Sequence, residues 1–560
     1  MLTYITAFFN IGGTRITDDF ICNAFKHFNS LCDLNINIHL FIEDLTLLDK
    51  IKKDKVANVH IQQVSFTEMK TYKLINSFNY ILPNVRTEIK DTSNFIILQN
   101  CKTEFLKMGA ENNVFSAQSF AWIDFRIFHC LANTDGKYLE YIGATNIKGL
   151  AAPGCWSLGT RVDNIYDMVN WRFCGGFLAG DREYILHFYN LCFEKIRHTL
   201  ATTNKLIWEV NIWHLVEIDR MISINWWNAG HDATIIELPR EYFTTPAVCN
   251  FDSSQYDTLF KRTFENYIPS SASFLEMNNK RLLNVRFVNY ELTPEGRYII
   301  HNGNGWLQTE NICYELDTSY NLIEQSAVQF ETSCNLERKW SEIQGLEDVR
   351  LYPKIVNEIT ENIIGFIATQ REYSSERVNR MVIGNYCIDG SGRAEKGSFT
   401  DCAVIEPPVY TACEKNWAPI VCTEQLFIYR WFPMEIGKII NNKLQIVKVY
   451  DVPKMVFNGI KGSTIFREYD DENGAMLIGI VHYSIETCPR SYYHQIVWLD
   501  KISLKPVKIS IPFHFFKEGI EFCIGMTVIG DKMRCWLSRH DCNTTWIEFN
   551  YKKIGLYNIQ

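Results

Sequence analysis

Near Asn284 the pattern of the 560-residue chain changes, and that change limits its fold more than any other feature. Upstream, strand-like and helix-like segments alternate. Leu2–Phe9 is an apolar, β-branched run that ends at the turn signal Asn10-Ile11-Gly12-Gly13. In Thr17–Leu31 the apolar residues Phe20, Ile21, Ala24, Phe25 and Phe28 recur close to a helical period. Ile36–Ile42, Val59–Val64 and Ala121–Asp124 read as further strands, and Ile96–Met108 as a helix. Strands separated by helices predict an α/β layer with a largely parallel sheet.

Downstream, strand-like runs dominate, among them Val285–Glu291, Asn311–Leu316, Ile363–Thr369, Arg380–Ile388, Leu426–Trp431, Ala475–Tyr483 and Met533–Ser538. Turn signals stand at Thr293-Pro294-Glu295-Gly296, Asp389-Gly390-Ser391-Gly392 and Asp470-Asp471-Glu472-Asn473-Gly474. The runs form five groups at intervals of roughly 45–60 residues, a repeat that predicts an all-β five-bladed β-propeller, with a β-sandwich as the alternative. The expected blade openings are Asn284–Tyr290, Leu346–Tyr352, Asn416–Val421, Gly462–Arg467 and Ile520–Thr527. A polar stretch, Thr244–Asn278, marks the boundary. The expected domains are residues 1–245 and 280–560, joined by a linker over 246–279.

Composition narrows the partners. Hydrophobic residues at 47% supply two cores and exclude disorder as the main state. A net charge of −8 offers no global basic field, so no nucleic acid partner is expected. No run approaches the ~18 apolar residues of a membrane span. The N-terminus lacks a basic segment followed by an apolar run, so the expectation is a non-secreted, cytoplasmic protein. The 18 cysteines include no Cys-x-x-Cys pair and read as reduced thiols.

A first group of chemistry-bearing residues lies upstream. Ser119–Arg126 carries Asp124 at the end of an apolar strand, where open α/β sheets bind ligands. Gly175 and Gly176 allow close backbone approach, Trp208-Glu209 sets a carboxylate among aromatics, and His231-Asp232 follows a glycine. Each also suits an ordinary strand end, cap or loop pair. In the order Thr6–Phe9, Trp122-Ile123-Asp124, Gly175-Gly176-Phe177, Trp208-Glu209, His231-Asp232, residues 1–240 resemble the bacterial HtrL/YibB-like family and the wider type-A glycosyltransferase architecture. That resemblance implies a Rossmann-like α/β domain that binds a nucleotide-sugar donor. It also implies a site for Mn2+ or Mg2+, for which Asp124, His231 and Asp232 are the candidate ligands. Glu209 is the candidate base toward an acceptor hydroxyl. The chain departs from the family's Asp-x-Asp, with Trp122 and Arg126 flanking a single Asp124.

A second group lies in the propeller. Strand alternation in Gly345–Leu351 sends Asp348 and Arg350 to one face and Glu347 and Val349 to the other. Such a pair serves as an acid beside an anion site or as a plain ion pair. Other blade openings carry Lys415, Asn416 and Trp417, then His482 and Tyr483, then Arg490. The aromatics Trp306, Trp417 and Tyr483 offer faces for pyranose rings. The constellation resembles the five-bladed propellers of the inverting β-mannoside phosphorylases and β-1,2-mannosyltransferases, whose Glu-Asp-Pro-Arg segment carries the general acid. The resemblance implies Asp348 as the acid and Arg350 as an anion or sugar contact, with Val349 in place of proline. It implies phosphate or a sugar 1-phosphate and a glycan or glycoside as partners, and no cofactor in the propeller.

The reading is thus a bifunctional carbohydrate-active protein: a nucleotide-sugar glycosyltransferase followed by a propeller acting on mannosides. Three alternatives stay open: a propeller hydrolase with Glu347, Asp401 or Glu521 as second carboxylate, a glycan-binding module, and a scaffold of two inactive folds.

Overall fold

The computed structural model describes all residues except 12–16, 53–57, 160–162, 251–253, 261–265, 294, 302–304, 332–333, 357–358, 389–395, 423, 472–473, 488–489, 518 and 560. The turns expected at Asn10–Gly13, Thr293–Gly296, Asp389–Gly392 and Asp470–Gly474 therefore lie wholly or partly outside the described residues. The chain forms two compact units, Met1–Thr244 and Thr245–Gln560.

Unit 1 is built on a seven-stranded sheet. Strands β1 (Leu2–Phe8), β2 (Asn37–Ile42), β3 (Val59–Gln63) and β4 (Ser119–Ile123) run parallel in the order β3-β2-β1-β4. Beyond β4 lie Phe177–Asp181, antiparallel to it, then Leu150–Gly154 and Ile224–Asn228. β1 and β4 are buried almost throughout, which is why they read as unbroken apolar runs. The first helix, Asp18–Cys32, starts where Thr17 Oγ1 accepts from Phe20 N at 3.2 Å, and Asp18 and Asp19 favour its N-terminal dipole. Its apolar stripe buries Ile21, Ala24, Phe25, Phe28 and Leu31. The single helix expected over Ile96–Met108 is two, Ser93–Asn100 and Lys102–Asn112, broken at Cys101. The break sets Lys102 at the start of a helix.

Unit 2 is a five-bladed propeller. Blade one comprises Ile268–Met277, Lys280–Val288, Leu307–Leu316 and Leu322–Phe330. Blade two comprises Glu347–Val356, Ile359–Gln370, Arg380–Cys387 and Lys396–Ile405. Ala418–Val421, Gln425–Trp431, Met434–Ile440 and Lys443–Tyr450 form blade three. In blade four the inner strand is split into Lys461–Gly462 and Arg467–Asp471, both paired with Gly474–Ile485, followed by Ser491–Asp500 and Pro506–Ser510. Blade five takes Glu521–Ile529, Lys532–Arg539 and Cys542–Asn550 from the end of the chain, and its outer strand, Gln255–Thr258, from the beginning of the unit. Among the described residues, contacts between neighbouring blades run round a closed cycle.

Two expectations are corrected here. The first blade opens at Ile268, while the stretch containing Asn284 is its second strand. The segment 246–279, expected as a linker, supplies Gln255–Thr258 and Ile268–Met277 to blades five and one. It reads as polar because an inner strand faces other blades' polar groups: Ser271 Oγ donates to Asp348, and Ser273 Oγ accepts from Leu351 N at 3.0 Å. Among the described residues no helix is long and apolar enough to cross a membrane, and the described cysteines are free thiols.

Candidate functional site

Arg350 locates the propeller axis. Its Nε donates to the Ser463 carbonyl at 2.5 Å and Nη1 to the Asp348 carbonyl at 3.3 Å. Nη2 donates to Asn416 Oδ1 at 3.0 Å and the Gly462 carbonyl at 3.5 Å, and the guanidinium lies 6.0 Å from the Phe522 ring centre. One side chain thus touches the openings of blades two, three, four and five. It is fully buried, and burial lowers its pKa to about 10 despite Asp348. Arg350 is a cross-link between inner strands, so its expected anion contact is not what the geometry gives it. Asn416, in the left-handed region at φ 65°, is spent on the same cross-link.

The arginine that meets both carboxylates of the motif is one that sequence reasoning missed. Arg286, on the second strand of blade one, donates through Nη1 to Asp348 Oδ1 at 3.1 Å and through Nη2 to Tyr290 Oη at 3.2 Å. Its Nη2 also lies 3.8 Å from Glu347 Oε2, and Lys415 Nζ stands 3.6 Å from that same oxygen. Asp348 adopts φ 52° at a register shift between Glu347 and Arg350, a β-bulge. The bulge breaks the expected alternation: Glu347 joins Asp348 at Arg286, while Val349 enters the core between blades. A non-glycine residue held in that region is sparsely populated, which is common at working sites.

Burial alone would raise the Asp348 carboxyl. Arg286, Arg350 and Lys415, with the Ser271 hydroxyl at 3.0 Å, outweigh it and hold the group below the ordinary aspartate value. Lys415 is raised, chiefly by Glu347. A third carboxyl acts on this cluster. Asp541, in the tight turn after Lys532–Arg539, is pushed up by burial and by Asp348 and Glu347, against the pull of Arg286 and Lys415. The open side is formed by Lys415, with 38% of its side chain exposed, and by Tyr298, which packs edge-on against Tyr290 at 4.9 Å.

Other expected site residues lie elsewhere. Trp417 is fully buried in the core between blades two and three, with Nε1 donating to Glu414 Oε2 at 2.9 Å. Tyr483 is buried and stacks on Tyr493 at 5.0 Å. Neither presents a face to a sugar. His482 is buried, its Nδ1 2.7 Å from Ser463 Oγ, and burial lowers its pKa well below the ordinary value, so the ring is neutral. Arg490 pairs on the surface with Glu486 at 3.0 Å. Glu521 accepts from the backbone amides of Phe515, Phe516 and Lys517, and Asp401 is exposed on the outer strand of blade two. Only Glu347 of the three hydrolase candidates joins the axial cluster.

In unit 1, Asp124 and Glu209 are brought together by Lys102. The ammonium lies 3.2 Å from Asp124 Oδ1 and 3.0 Å from Glu209 Oε1, and donates to the Gly175 carbonyl at 2.8 Å. Burial alone would lower the Lys102 pKa; the two carboxylates outweigh it and raise it. Trp122 Nε1 donates to Asp124 Oδ1 at 2.9 Å, and Asp124 N to the Gly176 carbonyl at 3.0 Å. A Cβ on Gly175 would come within 2.2 Å of Glu209 Oε1 and would displace the salt-bridged carboxylate.

This arrangement does not fit Mn2+ or Mg2+. A lysine cation already stands between the two carboxylates, where a hard divalent ion would need free oxygens. Asp232 accepts from Thr234 N at 3.0 Å and from the Thr234 hydroxyl. His231 turns to Cys130 and His129, and among the described residues those three form the metal-competent cluster, with neither Asp124 nor Asp232 a member. The expected ligand set is corrected accordingly. Glu209, buried and salt-bridged, is not placed as a free base.

No protein-family model matches the sequence, and no curated protein matches it either. Solved structures overlap with about half of the chain. A β-1,2-mannobiose phosphorylase from Listeria innocua is 10% identical, with 54% of this chain and 98% of that one covered at a TM-score of 0.35. A mannose phosphorylase from Leishmania mexicana is 12% identical, with 54% and 92% covered at 0.33. A GDP-Man-dependent mannosyltransferase from the same organism is 10% identical, with 53% and 90% covered at 0.34. Overlap this slight carries no weight for activity, and the fold rests on the strand order itself.

Proposed function

We infer that the propeller processes glycosides, with mannosides the preferred class, as an inverting phosphorylase or transferase in which Asp348 is the acid. The observation that carries this is the pairing of two cations, Arg286 and Lys415, with Glu347 and Asp348 at the axial end. The choice of mannosides comes from the Glu347-Asp348-x-Arg350 motif.

The unliganded cluster holds Asp348 ionised, and an acid needs a proton. A phosphate arriving between Arg286 and Lys415 neutralises the charges that depress Asp348. Burial then dominates and the carboxyl takes up a proton. A phosphate oxygen bonds to the anomeric carbon as the glycosidic bond breaks, and the Asp348 proton goes to the departing oxygen. One displacement inverts the configuration. Tyr298, exposed beside the cations and packed edge-on against the buried Tyr290, is where a sugar face would rest.

For unit 1 the reading is a nucleotide-sugar glycosyltransferase-like domain. The parallel order β3-β2-β1-β4, with Asp124 directly after β4 and a glycine pair beside it, supports it. The clamp of Lys102 on both carboxylates favours a second reading, binding without turnover. Thermal shift of the whole chain tests both units. Mannose 1-phosphate should raise the melting temperature in wild type and not in Arg286→Ala; no shift with phosphate or any mannose phosphate would sink the propeller reading. GDP-mannose or UDP-sugars should act through unit 1 and lose effect in Asp124→Asn.

A further inference from the structure

His129, Cys130 and His231 converge at the carboxyl end of the unit 1 sheet, outside the Lys102 clamp. Cys130 Sγ lies 3.1 Å from His129 Nε2 and 3.7 Å from His231 Nε2, and one donor atom from each residue falls within 4.8 Å of the others. A tetrahedral zinc ion with bonds of ~2.3 Å to sulfur and ~2.05 Å to nitrogen holds its S and N donors about 3.6 Å apart. The two sulfur-to-nitrogen distances, 3.1 and 3.7 Å, bracket that spacing, and His231 Nδ1 at 3.8 Å stands as near to the sulfur as Nε2 does.

The ring of His129 is oriented for the task. Its Nδ1 is 2.6 Å from the Arg126 carbonyl, which can only accept, so Nδ1 carries the hydrogen and Nε2 keeps its lone pair toward Cys130. A second-shell carbonyl fixing the tautomer in this way is usual for metal-binding histidines. The two segments are anchored independently. His129 and Cys130 end the turn Ile127–His129, with Cys130 N donating to Ile127 O at 3.0 Å. His231 is held between Ala229, whose N donates to Gly154 O at 2.9 Å, and Asp232, which caps the next turn.

We propose that His129, Cys130 and His231 bind a borderline-soft divalent cation, zinc above all, with its fourth position open to solvent. One thiolate and two imidazoles select such an ion over Mg2+ or Mn2+, which prefer oxygen. His129 and His231 are exposed and Cys130 is half-buried, so the ion has an entry path and a face left for water or ligand. The site stands independently of the activity assigned to either unit.

The test uses the full chain stripped with a chelator and titrated with Co2+. A stoichiometric sulfur-to-cobalt charge-transfer band is expected, with visible bands of tetrahedral intensity, displaced by Zn2+ and not by Mg2+ or Mn2+. Cys130→Ser should abolish the charge-transfer band, and His231→Ala should weaken binding roughly tenfold or more. Circular dichroism and thermal melting are the check that both variants stay folded, as expected for an exposed histidine and an isosteric change at a half-buried cysteine. Absence of the band in wild type with free thiols intact would overturn the proposal. So would a band unchanged in Cys130→Ser, because another cysteine would then be the ligand.

Discussion

In unit 1 one lysine serves two carboxylates, Asp124 and Glu209, with Lys102 buried between them; at the propeller axis an arginine and a lysine serve Glu347 and Asp348, and part of that cluster faces solvent. The parts are alike and the consequences differ. A buried lysine that also donates to a backbone carbonyl is closed to further partners, and the group holds structure together. Lys415 keeps exposed surface and a 3.6 Å pairing, so an arriving anion can compete for it. Both clusters keep one exposed member, so the difference lies in the cation: the fully engaged Lys102 is buried beside a 36% exposed Asp124, whereas the exposed group of the axial cluster is Lys415 itself.

The sharpest way to break this comparison is Asp348→Asn. It should lower phosphorolysis or transfer by about 10²–10⁴-fold while unit 1 melts as before. Full activity in steady-state assays would make the axial cluster a brace as well. Lys102→Met should act in reverse. It leaves Glu209 buried without its cation, a change worth about 3–5 kcal/mol in urea denaturation, with propeller kinetics unchanged.

A smaller effect concerns pH. If phosphate lifts the Asp348 pKa, activity should fall with rising pH at a higher pH in saturating phosphate than in dilute phosphate. Identical alkaline limbs at both concentrations would remove the coupling. Lys415→Ala should reduce that separation and weaken apparent phosphate affinity roughly tenfold, about 1.4 kcal/mol. The smallest change is expected at Asp541. Its pKa is higher folded than unfolded, so its contribution to stability is largest below the unfolded value and is lost as pH rises through the folded one. Asp541→Asn should therefore raise the melting temperature modestly at pH 7, and the gain should shrink as pH falls toward 4.

What could be read beforehand follows the same division. Strands buried on both faces, such as Leu2–Phe8 and Ser119–Ile123, announce themselves as apolar runs. Inner propeller strands do not. Ile268–Met277 reads as a linker because it carries Ser271 and Ser273, whose hydroxyls bond Asp348 and the Leu351 amide of the next blade. Asp348 was singled out by its motif, but period-two reasoning could not see the bulge that brings Glu347 round to join it. Arg286 carries a legible signal: with Asn284 it puts polar groups two residues apart on one face of the apolar stretch Leu282–Val288. Lys102 left none, since its role depends on a helix break at Cys101 and on two partners far along the chain. Trp417 and Tyr483 read as sugar contacts because an aromatic beside polar residues looks the same in sequence whether it faces a ligand or a neighbouring blade.

The pairing of Gln255–Thr258 with Cys542–Asn550 also sets a timetable. A ribosome adds roughly 5–20 residues each second, so the early strand emerges tens of seconds before its partner exists. Throughout that interval its hydrogen-bonding edge must be shielded by water or a chaperone. A nascent polypeptide arrested before Cys542 would lack this partner and also Leu556–Asn558, the edge strand paired with Pro506–Ser510, and would hold no circle.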